Sequence, residues 1–181
     1  MDIDEIERRT VAAAKRGDTR AFGDLVQRYV RRVISIAWGI VRDSGTAEDL
    51  AQDAFVRAWE RIESFDESRA FGPWIFTIVT RMSLDVARRK GRFPEDPIDR
   101  IDNGSFAAGP DRLAESNEIR HRIDEAIESL PGMQRVVARL WLVEQFDHAE
   151  IAEMTGLSEG TIRSHLSHAR SKLREKLENL R

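Results

Sequence analysis

The chain has 181 residues, 34% of them charged and 41% hydrophobic, which suits one medium or two small soluble domains and excludes a disordered polymer. Zero cysteines exclude disulfides, thiolate metal sites and thiol redox sensing. No apolar run nears the length that crosses a bilayer, and the start MDIDEIE is unlike a signal peptide, so a cytoplasmic protein without direct membrane insertion is expected.

Hydrophobic periodicity is helical almost throughout and no alternating strand pattern lasts, so the expected fold class is all-α. The spacing predicts helices over 4–16, 19–41, 46–62, 71–90, 111–129, 132–144, 149–155 and 159–178. The pattern breaks in GRFPEDPIDRIDNGSFAAGP, residues 91–110, which holds three prolines and three glycines. Proline removes a backbone donor and bars the preceding residue from a helix, so this stretch reads as a flexible linker. The expected organisation is a helical domain at 1–90, a linker at 91–112 and a second helical domain at 113–181.

Net charge is −3, but its distribution is uneven. Arg81, Arg88, Arg89, Lys90 and Arg92 form one basic cluster, and Arg163, Arg170, Lys172, Arg174 and Lys176 form another. Between 43 and 67 the balance is acidic: Asp43, Glu48, Asp49, Asp53, Glu60, Glu63, Asp66 and Glu67 against Arg57 and Arg61. Two basic surfaces and one acidic one suit a protein that touches nucleic acid twice and a basic protein once, although solubility alone also produces such blocks.

In the 46–62 helix, Ala47, Leu50, Ala51, Ala54, Ala58 and Ile62 form a small-residue stripe suited to close helix packing. Asp49, Gln52, Asp53 and Glu60 then form an acidic outer face, which reads as solvated surface or as an interface for a basic helical partner. Phe55 and Trp59 are an i, i+4 aromatic pair, a spacing that serves core or partner contact equally. In the 71–90 helix, Phe71, Ile75, Ile78, Val79, Met82 and Val86 make the expected buried stripe. Trp74, Thr77, Arg81 and Arg88 form a separate row. An exposed Trp followed by Thr and Arg has the chemistry of single-strand binding, with rings stacking on bases and cations holding phosphates; large aromatics are equally often buried.

The segment DHAEIAEMTGLSEGTIRSHLSHARSKLREKL, residues 147–177, reads as a helix-turn-helix. Asp147 with Glu150 has the form of a capping box, Gly156 suits a positive-φ turn, and Ser158 suits an N-cap. Ile162, Leu166, Ala169, Leu173 and Leu177 make the apolar stripe of the second helix. Gly160, Ser164, Ser167, His168 and Ser171 face the other way, with Thr161 and Arg163 on the shoulders. Short side chains permit close approach to a major groove, while Arg and hydroxyls reach phosphates and base edges.

Three segments in this order resemble the extracytoplasmic-function (ECF) sigma factors of bacterial RNA polymerase. AEDLAQDAFVRAWERIESF (47–65) is similar to that family's polymerase-binding helix, and FGPWIFTIVTRMSLDVARRKGR (71–92) to its −10-element helix. Residues 129–177, SLPGMQRVVARLWLVEQFDHAEIAEMTGLSEGTIRSHLSHARSKLREKL, are similar to its −35-binding domain. The resemblance implies two helical domains, sigma regions 2 and 4. It implies docking on the clamp of the polymerase's largest subunits through Asp49, Gln52, Asp53, Phe55 and Trp59. It implies melting and gripping of the −10 non-template strand by the 64–70 loop with Trp74, Thr77, Arg81, Arg88 and Arg89. It implies −35 binding by Thr161, Arg163, Ser164, His165, Ser167, His168 and Arg170. A linker threading toward the polymerase active-site channel, and an anti-sigma factor as further partner, are implied too. Two departures stand out. Thr80-Arg81 replaces the Arg-Asn of many relatives, whose Asn helps to seat a flipped base, and His165 and His168 stand where relatives often carry Arg.

Two other classes compete. LSEGTIRSHLSHARSKL is also similar to the LuxR-type helix-turn-helix of stand-alone transcriptional regulators. An all-helical first half is a poor receiver domain, and the acidic helix favours the sigma factor. A di-iron helical bundle wants two Glu-x-x-His motifs, and the chain offers one, Glu118 to His121. With no phosphate-cradling Gly loop and no nucleophile elbow, no catalytic residue, metal site or cofactor is expected.

Overall fold

A computed structural model describes residues 3–91 and 124–178, with side chains placed over 5–91 and 124–174. The chain divides into two compact units, Met1–Val86 and Ala87–Arg181, and no strand occurs among the described residues.

The first unit is built from α1 (Ile3–Lys15), α2 (Thr19–Val41), α3 (Ser44–Arg61), a 3-10 turn at Ile62–Ser64 and all but the last three residues of α4 (Phe71–Arg89). α2 is the central element and packs against both α1 and α3. Asp18 starts it, its side chain accepting hydrogen bonds from the Arg20 and Ala21 amides at 2.9 and 3.2 Å. Its end is set by Arg42 in the left-handed region (φ 57°), with the guanidinium over the Trp38 ring at 4.1 Å. The α3 stripe lies where expected: Ala47, Ala54 and Ala58 are fully buried, and Leu50, Ala51 and Ile62 nearly so. α3 begins two residues before the expected start because Asp43 caps it, accepting from the Thr46 amide at 2.7 Å.

A cluster of rings joins these helices. Phe22 of α2 meets Phe55 and Trp59 of α3 at centroid distances of 6.5 and 5.0 Å, and Phe71 of α4 at 6.3 Å. Tyr29 lies 5.6 Å from both Phe71 and Phe76. Gly72 allows that approach, since a Cβ there would sit 3.0 Å from Tyr29 Cε1. The buried face of α4 is broader than the sequence stripe. Phe76, Thr80, Ser83, Leu84 and Ala87 are buried with Phe71, Ile75, Val79 and Met82, whereas Ile78 and Val86 are half-buried.

The second unit has a helical segment at 124–128, then α5 (Gly132–Leu142), α6 (His148–Thr155) and α7 (Glu159–Glu178). α5 and α6 both pack on α7. Leu130, Ala138 and Ala169 form a buried cluster with Leu173 against it, and Ile151, Met154, Ile162 and Leu166 are buried nearby in sequence. α5 stops at Leu142, short of the expected 144, as the chain turns through Gln145 at φ 58° and the Phe146 amide bonds the Leu140 carbonyl at 3.0 Å. The expected linker beyond Gly91, most of the 111–129 helix, Glu118 and His121, and the side chain of Leu177 lie outside the described residues.

Candidate nucleic-acid interface

The helix-turn-helix is made by local chemistry. The Glu150 amide donates to Asp147 Oδ1 and the Asp147 amide to Glu150 Oε2, both at 2.8 Å, completing the capping box. Gly156 ends α6 at φ 75°, its amide reaching the Ala152 carbonyl at 2.9 Å. Ser158 Oγ accepts from the Thr161 amide at 3.1 Å and caps α7.

With Ile162, Leu166 and Ala169 turned into the core, Arg163, Ser164, Ser167, His168 and Arg170 are exposed and Thr161 and His165 half-buried. His165 and Arg170 stand at the two margins of the buried stripe. Burial holds the His165 imidazole below its ordinary pKa, with a smaller push from His168. Arg163 pairs with Glu159 at 3.4 Å across one exposed turn, a weak bond that a phosphate can displace. Arg170 lies over the Trp141 ring of α5 at 4.5 Å.

The α4 row is less uniform. Trp74 is half-buried, wedged between Phe65 at 4.7 Å and Phe71 at 5.6 Å, so its ring belongs partly to the core and partly to the surface. Thr77 is half-buried and its hydroxyl donates to the Pro73 carbonyl at 2.8 Å. Arg81, Arg88 and Arg89 are exposed beyond it. Residues 66–70, the loop leading into α4, are all exposed between buried Phe65 and Phe71. Within it Asp66 accepts from the Ser68 amide at 2.9 Å, and that bonding holds its carboxyl below the usual range.

On α3, Asp49, Gln52 and Asp53 form an exposed face as expected. Phe55 is not on that face: it is only 6% exposed and packs edge-on against Phe22. Trp59 is half-buried on the same ring. The face instead carries Val56, 56% exposed, which was not among the expected residues although it lies seven positions after Asp49. Also unforeseen were the contacts that Glu7 and Lys15 of α1 make with the ends of the 65–71 loop.

A capped helix-turn-helix in one helical unit, and in the other an aromatic and basic helix and an acidic one, define a two-part DNA-binding transcription protein. Residues 25–93 match the family model for Sigma-70 region 2, and residues 120–173 that for Sigma-70 region 4. The ECF RNA polymerase sigma factor SigW of Bacillus subtilis is 29% identical over 96% of this chain and 97% of its own length. The ECF RNA polymerase sigma-E factor of Escherichia coli K12 is 31% identical over 94% of this chain and 93% of its own. Among solved structures, CnrH in complex with the cytosolic domain of CnrY matches with a TM-score of 0.67 and 26% identity, over 96% of this chain and 98% of CnrH. The chain belongs to the ECF family of RNA polymerase sigma factors. Its function is therefore promoter-directed initiation of transcription rather than stand-alone regulation.

Proposed function

We propose that the three surfaces divide the work of initiation. The exposed α3 face, with Asp49, Gln52 and Asp53, docks on the clamp of the largest polymerase subunits. Phe55 acts there by seating α3 on Phe22, and Trp59 offers its open edge. The 64–70 loop with Trp74, Thr77, Arg81, Arg88 and Arg89 captures the unpaired −10 strand, its half-open ring stacking on bases and its cations holding phosphates. α7 enters the −35 major groove with Thr161, Arg163, Ser164, His165, Ser167, His168 and Arg170. The two DNA-reading domains are 1–90 and 113–181, joined by 91–112.

The observation that carries this reading is the geometry of α6 and α7, a capped helix-turn-helix in which buried Ile162, Leu166 and Ala169 leave Arg163, Ser164, Ser167 and His168 exposed. On this reading the chain works in the cytoplasm, forms no covalent bond itself and needs no cofactor, since the polymerase performs the chemistry. No helix among the described residues is long and apolar enough to cross a membrane. An anti-sigma factor is the further partner, a reading supported by CnrH, a neighbour in fold that is solved in complex with the cytosolic domain of another protein, CnrY.

The deciding experiment mixes the purified chain with core polymerase and a DNA pool randomised upstream of a reporter. Run-off transcripts with a common start and selected upstream sequences are expected. Failure of the chain to join core polymerase would overturn the proposal.

A further inference from the structure

The loop that leads into α4 has little apolar packing of its own, because residues 66–70 are exposed and its buried hydrophobic ends are Phe65 and Phe71. A cleft of about 170 Å³ runs beneath it, lined by Glu7, Arg8 and Val11 on the α1 side and by the loop on the other. Polar ties cross that cleft, and α1 supplies one at each end of the loop. At the start, Lys15 Nζ donates to the Phe65 carbonyl at 2.8 Å and pairs with the Glu67 carboxylate at 2.9 Å. At the finish, Glu7 Oε1 accepts from the Phe71 amide at 3.2 Å.

Glu7 is itself fixed. It is 9% exposed, its other oxygen receives the Tyr29 hydroxyl, and Arg28 pairs with it at 3.3 Å. Burial and the Glu7 carboxylate push the Tyr29 phenol well above its ordinary pKa, so it remains a proton donor at any physiological pH. A carboxylate at the first amide of α4 satisfies a donor that no helical carbonyl can reach and lies at the positive end of the helix dipole. This cap comes from 64 residues upstream. Glu7 and Lys15 lie eight positions apart in sequence, about 12 Å along a helix, a span fixed by the backbone.

We propose that α1 is a splint for the promoter-strand loop. Glu7 and Lys15 are positioning residues that fix both ends of residues 65–71 and hold the loop and the first turn of α4 ready to capture unpaired DNA. This rests on the assignment of the loop and α4 to the −10 strand given above.

The test uses holoenzyme assembled from core polymerase and the full chain carrying Lys15→Met, Glu7→Gln or Glu7→Leu. The probe is duplex DNA selected by the wild-type holoenzyme from a randomised pool, with 2-aminopurine in its start-proximal segment to report strand opening. Lys15→Met and Glu7→Leu are expected to slow opening about 10-fold while core affinity stays within about twofold. Glu7→Gln retains an oxygen that accepts from the Phe71 amide and is expected to keep most of the opening rate. Unchanged opening in Lys15→Met, or opening and core affinity falling together, overturns the splint. If Glu7→Leu fails to fold, Lys15→Met and Glu7→Gln still decide it. Arg81→Ala with Arg88→Ala separates the premises: if that pair leaves opening intact, the −10 assignment fails, whereas impaired opening there with a normal Lys15→Met removes the splint alone.

Discussion

The two helices assigned to DNA, α4 and α7, are of similar length but are held in place by different means. The turn into α7 is set by neighbours in sequence: Asp147, Glu150, Gly156 and Ser158 all act within a few residues of it, and the Leu130, Ala138 and Ala169 cluster then packs α5 on the helix. α4 takes its position from afar, through Phe22, Tyr29 and Glu7. The difference follows from the substrates assigned to them. A duplex groove is already rigid and needs only a helix with a clear face, whereas a strand in the act of unpairing needs a preset shape to receive it.

The largest expected effect separates both helices from α3. Asp49→Lys with Asp53→Lys reverses the charge of the exposed face and should weaken core polymerase binding by about 100-fold or more, by analogy with other charge reversals at steered interfaces. Fluorescence anisotropy on labelled core measures this, and the helical circular dichroism and melting temperature of the free variant should be unaffected. Unaltered core affinity would place the polymerase contact elsewhere.

Trp74→Ala probes the α4 side. Loss of a ring that both packs and stacks should cut promoter opening by about 10- to 100-fold, given roughly 1–3 kcal/mol per stacked base. Closed-complex formation, read by footprinting without strand separation, should fall much less. Equal losses in both would make Trp74 a core residue only.

Arg163→Ala probes α7 and should cost about 1–3 kcal/mol of duplex affinity if the side chain reads a base edge. Binding to a panel of upstream variants gives the sign: a selective loss marks a base contact, and a uniform loss with a shallower salt dependence marks a phosphate contact. Gly156→Ala should destabilise the second unit by about 1 kcal/mol, because alanine resists the φ of 75° observed there. Denaturant unfolding of the full chain would show it, and an unchanged midpoint would mean that the turn relaxes.

The smallest effect concerns His165. Its folded pKa lies below the unfolded value of 6.5, so the folded chain binds fewer protons there than the unfolded one. The stability it contributes is present above that value and is lost as pH falls through the lowered folded value. Melting temperatures from neutral to mildly acidic pH should therefore decline less steeply in His165→Gln than in the wild type.

This contrast also explains what could be read from the chain alone. The helix-turn-helix was legible because its caps and turn lie within a dozen residues and use residue types with narrow roles: an Asp–Glu box, a Gly, a Ser. The alanine stripe of α3 was legible for the same reason. Phe55 was ambiguous because helical spacing states which residues share a face but not what lies opposite, and Phe22 decides that. The broad burial of α4, including Thr80 and Ser83, escaped because small hydroxylated residues carry no hydrophobic signal. Glu7 and Lys15 escaped because their partners lie 64 and 50 residues away, beyond any local pattern.

Arg170, stacked on Trp141, has one further consequence. A free arginine samples many rotamers and must surrender that freedom when it grasps an anion. Here the indole already restrains the guanidinium plane, so much of the ordering occurs when the domain folds rather than when it meets DNA. On the −35 assignment proposed above, replacing Trp141 is expected to speed dissociation of the duplex complex far more than it slows arrival, although the indole itself touches no DNA there.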